Sequence, residues 1–551
     1  MKKTVAILLA ILLIASLVAC GAESAVTPAI NSTSSADTIA EAVTDQTITA
    51  REATGDFELT TEDGAFTESD GVYTITAAGT YTASGLLNGQ ILVEAGEEDE
   101  VVIALSGATI LCGGDSPIKI LSAGNADISA KKDTENVITD ARAAKTTDAD
   151  DQGEGAIYAK CDLKIKGAGT LVVTGSYNNG IHTTKDLRIQ NLSLKCTAFN
   201  NALKGNDSIT VTSGNLAVIS TNGDGLKTEN TDVSKNGVTR GDIVLSGGAV
   251  TVYAAGDGFQ AAHDFEMIRG EDGSEPAVTV YTGSYSGYTA SNASTDSYKG
   301  VKVQNELTVS AGAITLQTYD DGLHADYGTA LDDGTKGQGN VNVTGGAVSM
   351  NVYAPASKTP GGRMGPGGWG GQQTVSGADA IHADGTLTIS GGTVQIDSAY
   401  EGLEGNVINV SGGTVAVTAN DDGINACKGA APAAVNVTGG FLDVTVSPNG
   451  DTDGIDSNGS YQQTGGVVIT RGPGSEMAAA IDADGTILVS GGTLIVLGYG
   501  RVTTGGSVKS VSLSLHAAGS HTISIDGTSY TFTNAGAYWA TSCYSDVSVS
   551  A

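Results

Sequence analysis

The stretch from Asp379 to Ile396 reads Asp-Ala-Ile-His-Ala-Asp-Gly-Thr-Leu-Thr-Ile-Ser-Gly-Gly-Thr-Val-Gln-Ile, and it decides the fold. It holds three short apolar segments that are separated by small or turn-forming residues. The first segment carries a four-residue phrase: an acidic or amide residue, Gly or Ala, an apolar anchor and a polar residue. A Gly-Gly pair stands between the second and third segments. Short apolar runs bounded by turn residues are typical of β-strands.

The four-residue phrase recurs along most of the chain. Its apolar anchors are Ile157, Ile181, Leu203, Leu226, Phe259, Val301, Leu323, Ile381, Leu403, Ile424, Ile455 and Ile481. Successive anchors lie 24, 22, 23, 33, 42, 22, 58, 22, 21, 31 and 26 residues apart, so the shortest spacing is nearly constant and the longer gaps hold insertions. A repeat of constant length is the signature of stacked structural units.

Two architectures fit three short strands per repeat. Strands flanking a Gly-Gly pair are compatible with β-hairpins, which would give a β-meander. The constant period and the third apolar segment favour a right-handed parallel β-helix, in which each coil stacks its anchor on the next. The sequence therefore predicts an all-β fold, a right-handed parallel β-helix of about 12 coils with β caps at both ends. At about 4.8 Å per coil its length is roughly 60 Å.

The N-terminus indicates export. A basic start, an apolar run and the sequence Leu17-Val18-Ala19-Cys20 resemble a bacterial lipoprotein signal peptide with a lipidated Cys20. We expect a signal peptide at residues 1–20, a flexible tether at 21–55 and an extracellular protein anchored to the outer face of the membrane. The remaining predicted units are the N-terminal cap and first turns (56–150), the β-helix (151–500) with insertions at 262–298 and 354–378, and a C-terminal β cap (501–551).

Charge limits the choice of partner. The 551 residues include 77 glycines and carry a formal net charge of −33. Phosphate would be repelled, so a nucleic-acid partner is excluded, and membrane contact is expected only through the lipid anchor. A ligand of this chain is either neutral or bridged by a cation. The five other cysteines are scattered and form no disulfide or zinc-site pattern. We expect a monomer.

The repeat places acidic residues in columns on the surface. Carboxylates stacked about 5 Å apart repel one another, and Ca²⁺, which takes six to eight oxygen ligands, relieves that repulsion. The predicted calcium ligands are Asp224, Asp257, Asp320, Asp321, Asp326, Asp379, Asp384, Glu401, Asp421 and Asp422. The alternative is local, because Asp and Asn at tight corners also bond the neighbouring backbone.

Basic and aromatic residues supply candidate contacts to a sugar polymer. Positions after the anchor are cationic in the first half of the chain and anionic in the second. The predicted carbohydrate-binding residues are His182, Lys204, Lys227, Tyr285 and Tyr288. The alternatives are ion pairs of the lysines with neighbouring acids, and packing of the tyrosine-containing insertion against the repeats.

The phrases Asn179-Gly180-Ile181-His182, Asp224-Gly225-Leu226-Lys227 and Glu401-Gly402-Leu403-Glu404 resemble a family of secreted or lipid-anchored carbohydrate-binding β-helix proteins of clostridia and their relatives. The resemblance covers about residues 56 to 500. It implies calcium-bearing β-helices, similar in shape to pectate lyases, that bind polygalacturonate and cellulose-type glycans. The family often has Asp where this chain has Asn179, Asn200 and Asn201, which argues against metal binding in those early coils.

Three functions remain open. In the first, calcium-assisted binding of a plant cell-wall polysaccharide, the cation bridges protein and uronate carboxylates. In the second, a calcium-dependent polysaccharide lyase of the pectate-lyase type, a lysine removes the C5 proton of a uronate, with Lys204, Lys227, Lys299 or Lys302 as candidate bases. The third is a structural or adhesion protein of the cell surface.

Overall fold

The computed structural model describes residues 56–145, 153–287, 297–332, 334–353 and 377–551. The predicted signal peptide with Cys20, the tether, Tyr288 and nearly all of the 354–378 insertion lie outside the described residues. The described part is all-β, as predicted, with a 3-10 helix at Gly283–Ser286 and no α-helix. It contains no helix with the length and apolarity needed to cross a membrane.

Most strands belong to three parallel ladders, which we number in the order in which a repeat meets them. The first ladder consists of Val72–Ile75, Gln90–Glu94, Ile118–Ser122, Gly155–Ala159, Asn179–Thr183, Leu203–Gly205, Leu226–Lys227, Phe259–Ala261, Val301–Val303, Leu323–Ala325, Ile424–Ala426 and Ile455–Ser457. The second consists of Asn125–Ala130, Asp162–Gly167, Asp186–Gln190, Ser208–Val211, Asp242–Leu245, Phe265–Met267, Glu306–Val309, Asn340–Val343 and Ala434–Val437.

The third ladder consists of Glu135–Asp140, Thr170–Gly175, Ser193–Ala198, Asn215–Ser220, Ala249–Ala254, Ala277–Thr282, Ala313–Thr318, Ala347–Val352, Thr393–Ser398, Thr414–Thr418 and Phe441–Thr445. Longer strands bend from one ladder into the next. They are Gly79–Asn88, Glu100–Cys112, Ile381–Ile389, Leu403–Val410, Ser460–Arg471 and Ile487–Leu497. Each repeat thus adds one strand segment to each ladder.

The anchors stack in register along the first ladder. Ile157 lies opposite Ile181, and the register continues through every anchor to Ile455. It also extends back to Ile118 and Ile91. Residues at the same place in the repeat are therefore neighbours in space, which is the premise of the predicted columns.

Close stacking explains the small residues of the repeat. A Cβ atom on Gly225 would lie 2.5 Å from the carbonyl oxygen of Gly258, so the position before the anchor has no room for a large side chain. Gly392, the second residue of a Gly-Gly pair, has φ of +74°, which L side chains rarely adopt. The strands that flank this pair bond to neighbouring repeats and not to each other, so the β-meander alternative is wrong.

Alternate residues of the strands point into one continuous apolar core. Ser208–Val211 shows the pattern, with Ile209 and Val211 fully buried and their neighbours partly exposed. All the anchors are buried, and the rings of Phe259 and Phe265 meet edge to face at 5.2 Å. Aliphatic side chains that repeat in register make this core self-similar along the stack, so its burial energy grows with each repeat.

Antiparallel strands lie at both ends of the ladders. Glu58–Thr61 pairs with Gly79–Asn88, and Phe66–Ser69 pairs with Val72–Ile75. The C-terminal strands are Thr503–Thr504, Lys509–Val511, Gly519–Ile525, Thr528–Asn534, Thr541–Ser545 and Val549–Ser550. Thr541–Ser545 pairs antiparallel with Ile487–Leu497, so the last parallel edge does not face solvent along that stretch.

One further pair of strands lies outside the ladders. A hairpin of Tyr327–Ala330 and Lys336–Gln338 projects from the repeats. The five described cysteines, Cys112, Cys161, Cys196, Cys427 and Cys543, form no disulfide. Four of them are buried in the apolar interior, and Cys427 is partly exposed.

Candidate functional site

The residue two positions before each anchor forms what we call the corner column. Its members are Asn179, Asn201, Asp224, Asp257, Lys299, Asp321, Asp379, Glu401, Asp422 and Asp453. Several of them use one side-chain oxygen to accept the backbone N–H of the next member. Asp257 donates to the Asp224 Oδ1 atom at 2.9 Å, and Lys299 donates to the Asp257 Oδ1 atom at 2.7 Å. The Asp preference therefore has a structural cause, and the second oxygen is left for other partners.

At the start of the column the amide side chains bond to each other. The Asn201 Nδ2 atom donates to the Asn179 Oδ1 atom at 3.0 Å, and the backbone N–H of Asp224 donates to the Asn201 Oδ1 atom at 3.1 Å. Neutral amides satisfy one another without a cation. This arrangement agrees with the absence of predicted metal ligands in the early repeats.

Lysines neutralise the middle of the column. The Lys299 ammonium nitrogen lies 2.6 Å from the Asp321 Oδ2 atom and 3.0 Å from the Asp320 Oδ2 atom. Lys227 lies 3.1 Å from Asp224. Burial disfavours the charge of both lysines, but the carboxylates outweigh it and raise the pKa of Lys227 and of Lys299. The predicted calcium ligands Asp224, Asp320 and Asp321 thus already have cationic partners.

Two adjacent repeats carry the same motif, Asp-x-x-His-Ala-Asp. His324 lies between Asp321 and Asp326, with each ring nitrogen 2.8 Å from a carboxylate oxygen. In the next repeat, the Nδ1 atom of His382 lies 2.9 Å from the Asp379 Oδ2 atom, and its Nε2 atom lies 3.1 Å from the Asp384 Oδ1 atom.

The two histidine rings stack, with centroids 4.7 Å apart and planes 15° from parallel. Although burial opposes protonation, the surrounding carboxylates raise the pKa of His382. Asp326, a predicted calcium ligand, is also 3.8 Å from the Lys302 ammonium nitrogen.

The second half of the column has a different charge balance. None of the ion pairs among the described residues includes Glu401, Asp422 or Asp453. Burial, and then the neighbouring carboxylates, raise the pKa of Asp422 to about 9 and the pKa of Glu401 and Asp453 to about 7. This part of the column is an all-oxygen donor set that repels itself when ionised. Asp421 lies beside it, directly before Asp422, and donates its backbone N–H to the Tyr400 carbonyl oxygen at 2.7 Å.

Asp257 lies apart from that region and has no room to reach a surface ligand, because it is only 2% exposed. Burial and the charge of Asp224 raise the pKa of Asp257 to about 7. Its Oδ1 atom accepts a hydrogen bond from the Lys299 backbone N–H. Asp257 therefore links neighbouring repeats in addition to contributing charge to the column.

The predicted carbohydrate-binding cations are largely buried. Lys204 lies 2.7 Å from Glu229. His182 is 3% exposed, and its Nε2 atom lies 3.1 Å from the Asn206 Oδ1 atom. Burial and the Lys204 charge lower the pKa of His182 to about 4, so this ring is neutral at physiological pH. Lys227 is the most accessible of the three predicted cations.

Exposed tyrosines lie next to the middle of the column. Tyr319 and Tyr353 are 39% and 40% exposed, and their rings stack with centroids 4.5 Å apart. Tyr298 meets Tyr319 edge to face at 6.0 Å. We call these three residues the tyrosine patch. Tyr319 directly precedes Asp320, so the patch adjoins the carboxylates bound by Lys299. Of the predicted aromatic contacts, Tyr285 lies in the 3-10 helix and Tyr288 lies outside the described residues.

Comparison with known proteins decides the family. A family model described as carbohydrate-binding domain-containing protein matches residues 69–351, 328–423 and 368–541, which together cover most of the chain. The chain belongs to this carbohydrate-binding family.

One member of the carbohydrate-binding family, from Acetivibrio thermocellus, is 44% identical to this chain over 117 residues. The match covers 21% of this chain and 41% of the relative, so the chain spans less than half of that protein. A solved structure, the polysaccharide lyase-like protein from C. thermocellum in a gadolinium derivative, is 32% identical. The alignment covers 45% of this chain and 91% of that one, with a TM-score of 0.38.

Two features of this protein could not be predicted from any single repeat, because each joins residues of different segments. The tyrosine patch joins residues 34 positions apart, because Thr318 pairs with Val352 and thereby aligns Tyr319 with Tyr353. A second histidine cluster joins His263 to Asp242 at 2.7 Å and to Asp264 at 3.3 Å. Aligning the repeats by their anchors and reading the flanking positions across repeats would have indicated both.

Proposed function

We propose that this protein binds a plant cell-wall polysaccharide of the acidic pectin type or the cellulose type. The observation that carries the proposal is the position of the tyrosine patch, an exposed aromatic surface beside a column of carboxylates, on a chain of the carbohydrate-binding family. Aromatic rings pack against the apolar faces of sugar rings, whereas carboxylates and ammonium groups bond their hydroxyls. The Tyr319–Tyr353 pair would supply the first kind of contact, and Asp320 with Lys299 the second.

We further propose that calcium assists binding through the second half of the column. Glu401, Asp421 and Asp422 fit this role because they offer only oxygen donors, which Ca²⁺ prefers, and Glu401 and Asp422 have no ion-pair partner among the described residues. A bound calcium ion would supply positive charge that a uronate carboxylate of the polymer can share. These partly buried carboxylates would hold the ion and, once neutralised, would cease to repel each other.

A lyase is the alternative function, and the lysines argue against it. A general base must be unprotonated at the working pH. Each of the four candidate bases, Lys204, Lys227, Lys299 and Lys302, lies in an ion pair with a carboxylate. The carboxylate partners raise the pKa of Lys227 and of Lys299, which favours the ammonium form of these two lysines. The ion pairing of the candidate bases therefore favours binding without bond cleavage.

Retention of the protein in gels that contain polygalacturonate or soluble cellulose derivatives tests the proposal. We expect retention on at least one glycan, and stronger retention on polygalacturonate with CaCl₂ than with EDTA. Absorbance of the unsaturated product should stay flat in the same mixtures. Steady product formation would establish the lyase instead, and absence of retention on all glycans would favour the structural or adhesion role.

We also propose the overall architecture and location that fit this role. The three ladders, with one strand segment per repeat in each, support a right-handed parallel β-helix of about 12 coils. The lipobox supports lipidation at Cys20 and display on the outer face of the bacterial membrane. Expression of Cys20→Ala in a bacterial host tests the anchor, because the variant should move from the membrane fraction to the soluble fraction.

A further inference from the structure

One cluster on the first ladder contains more than oxygen donors. The Nδ1 atom of His382 lies 2.9 Å from the Asp379 Oδ2 atom and 2.8 Å from the Glu404 Oε2 atom. The three donor atoms lie within 4.8 Å of one another. A ring N–H makes one good linear hydrogen bond, so two carboxylate oxygens converging on one nitrogen exceed what that proton requires.

The register of the first ladder brings these groups together. His382 lies opposite Glu404, and Asp379 lies in the corner column of the same repeat as His382. Two successive repeats thus contribute a nitrogen and two carboxylates to one place.

The far side of the imidazole ring is also arranged as in a metal site. The Nε2 atom of His382 lies 3.1 Å from the Asp384 Oδ1 atom. Histidines that bind metals almost always donate their second ring N–H to a carboxylate or carbonyl, which fixes the ring and leaves the other nitrogen for the ion. Asp384 is placed to fix His382 in this way, with Nδ1 directed at Asp379 and Glu404.

We propose that Asp379, His382 and Glu404 bind a divalent metal ion of the zinc class. Zinc is typically bound by histidine nitrogen, cysteine sulfur and carboxylate oxygen in a four-coordinate site, whereas calcium takes oxygen ligands. The site is therefore distinct from the proposed calcium region, and it goes beyond carbohydrate binding. Its ion would cross-link two neighbouring repeats on one face of the stack.

The preceding repeat has the same histidine motif, but a lysine lies beside one of its carboxylates. The Asp321 Oδ2 atom, which faces the His324 Nδ1 atom, also lies 2.6 Å from the Lys299 ammonium nitrogen. A fixed positive charge at that oxygen repels a metal ion. The two motifs are thus alike in sequence and unlike in charge, and His324 is the matched control for His382.

The experiment uses the purified full chain after removal of metals with EDTA and dialysis. Isothermal titration with ZnCl₂ should give one site, and His382→Gln should weaken it by at least about tenfold, in the range seen when a metal site loses a supporting group. His324→Gln removes the ring that stacks on His382 but no donor of the proposed site, so it should weaken zinc binding less than His382→Gln does. Glu404→Gln, which removes a second donor of the site, should weaken zinc binding to a similar extent as His382→Gln. Circular dichroism and thermal melting confirm that each variant is folded.

Several results would overturn the proposal. No zinc binding by the folded wild type, or equal binding by His382→Gln, excludes the site. A calcium affinity equal to that for zinc excludes the assigned metal class. Glycan retention is measured separately on the metal-stripped protein, so a failed zinc titration leaves the carbohydrate-binding proposal intact.

Discussion

The Asp422 Oδ1 atom accepts the backbone N–H of Asp453 at 2.7 Å, although 31 residues separate the two in the chain. The same carboxyl group is partly buried and has no ion-pair partner among the described residues. The Asp422 carboxyl group is therefore needed as a hydrogen-bond acceptor, whereas its ionised form is disfavoured. The two roles are separable by mutation.

Substitutions at Asp422 separate its role as a hydrogen-bond acceptor from the effect of its charge. Asp422→Asn keeps an Oδ1 acceptor and removes the charge, so at pH 8 without calcium we expect stabilisation of at least about 1 kcal/mol, since one pKa unit is worth about 1.4 kcal/mol. Asp422→Ala leaves the Asp453 N–H without its acceptor and should cost about 1–3 kcal/mol relative to Asp422→Asn. Thermal and denaturant unfolding of the two variants give the comparison. Equal stability of the two variants would show that the hydrogen bond contributes nothing.

The second half of the corner column should make a contribution to the stability of the metal-free protein that falls as the pH rises. Glu401, Asp422 and Asp453 have folded-state pKa values raised to about 7, 9 and 7, above those of the unfolded chain near 4. The folded state therefore binds more protons between these values, and this contribution to the unfolding free energy is largest below about pH 4 and is lost as the pH rises to about 9.

Calcium should reverse that loss. At pH 8, we expect CaCl₂ to raise the melting temperature of the wild type more than that of Asp422→Asn, because the variant has lost one of the ligands. At pH 5 the ion should have a smaller effect, since protons compete for the same oxygens. The same melts with MgCl₂ control for ionic strength, and an equal response to both salts would argue against a specific calcium site.

Lys299 pairs with the buried Asp321 carboxylate and with the partly exposed Asp320 carboxylate. Lys299→Met keeps most of the side-chain volume but leaves Asp320 and Asp321 without their ammonium partner. We expect destabilisation by about 3–5 kcal/mol near pH 7, as for other buried ion pairs that lose one member. Lys235→Met, which replaces an exposed lysine, provides the control. A loss below 1 kcal/mol would mean that solvent already screens the pair.

The tyrosine patch should contribute directly to glycan affinity. Tyr353→Ala removes one of two stacked, exposed rings, and we expect it to cost about 0.5–1.5 kcal/mol of binding free energy, the range for aromatic contacts beyond buried area. Tyr353→Phe keeps the ring and should bind nearly as well as the wild type. Tyr253→Ala tests specificity, because Tyr253 stacks on Tyr281 in a pair of lower exposure. Equal loss for Tyr253→Ala and Tyr353→Ala would remove the patch from the binding surface.

The buried Arg471 should be essential for docking of the C-terminal strands. It is fully buried, donates to the Asn534 Oδ1 atom at 2.8 Å and pairs with Asp443. Arg471→Met should destabilise the protein by about 3–5 kcal/mol, since it leaves Asp443 unpaired. Limited proteolysis should then release the region after residue 505 first. The double variant Arg471→Met/Asp443→Leu should recover part of the loss, and no recovery would indicate that the arginine acts mainly through Asn534.

The sequence alone determined the repeating unit and therefore the parallel pairing. A strand must bury its apolar side, and anchors at a constant spacing with small residues before them satisfy this need only when like positions stack, as Ile381 does on Leu403. The small residue beside each anchor, such as Gly225, was predictable for the same reason, because neighbouring backbones approach closely there. These are local rules that act identically in every repeat.

Only the tertiary structure decided which charges meet. The motifs at Asp321 and Asp379 are alike in sequence, yet one shares its carboxylate with Lys299 and the other faces Glu404. Those partners come from neighbouring repeats across gaps of different length, so they depend on how insertions are accommodated and on side-chain orientation. The partner of a carboxylate determines whether that carboxylate is neutralised, protonated or available to a metal ion. Because the partner comes from a neighbouring repeat, it depends on how the repeats stack and cannot be read from one repeat alone.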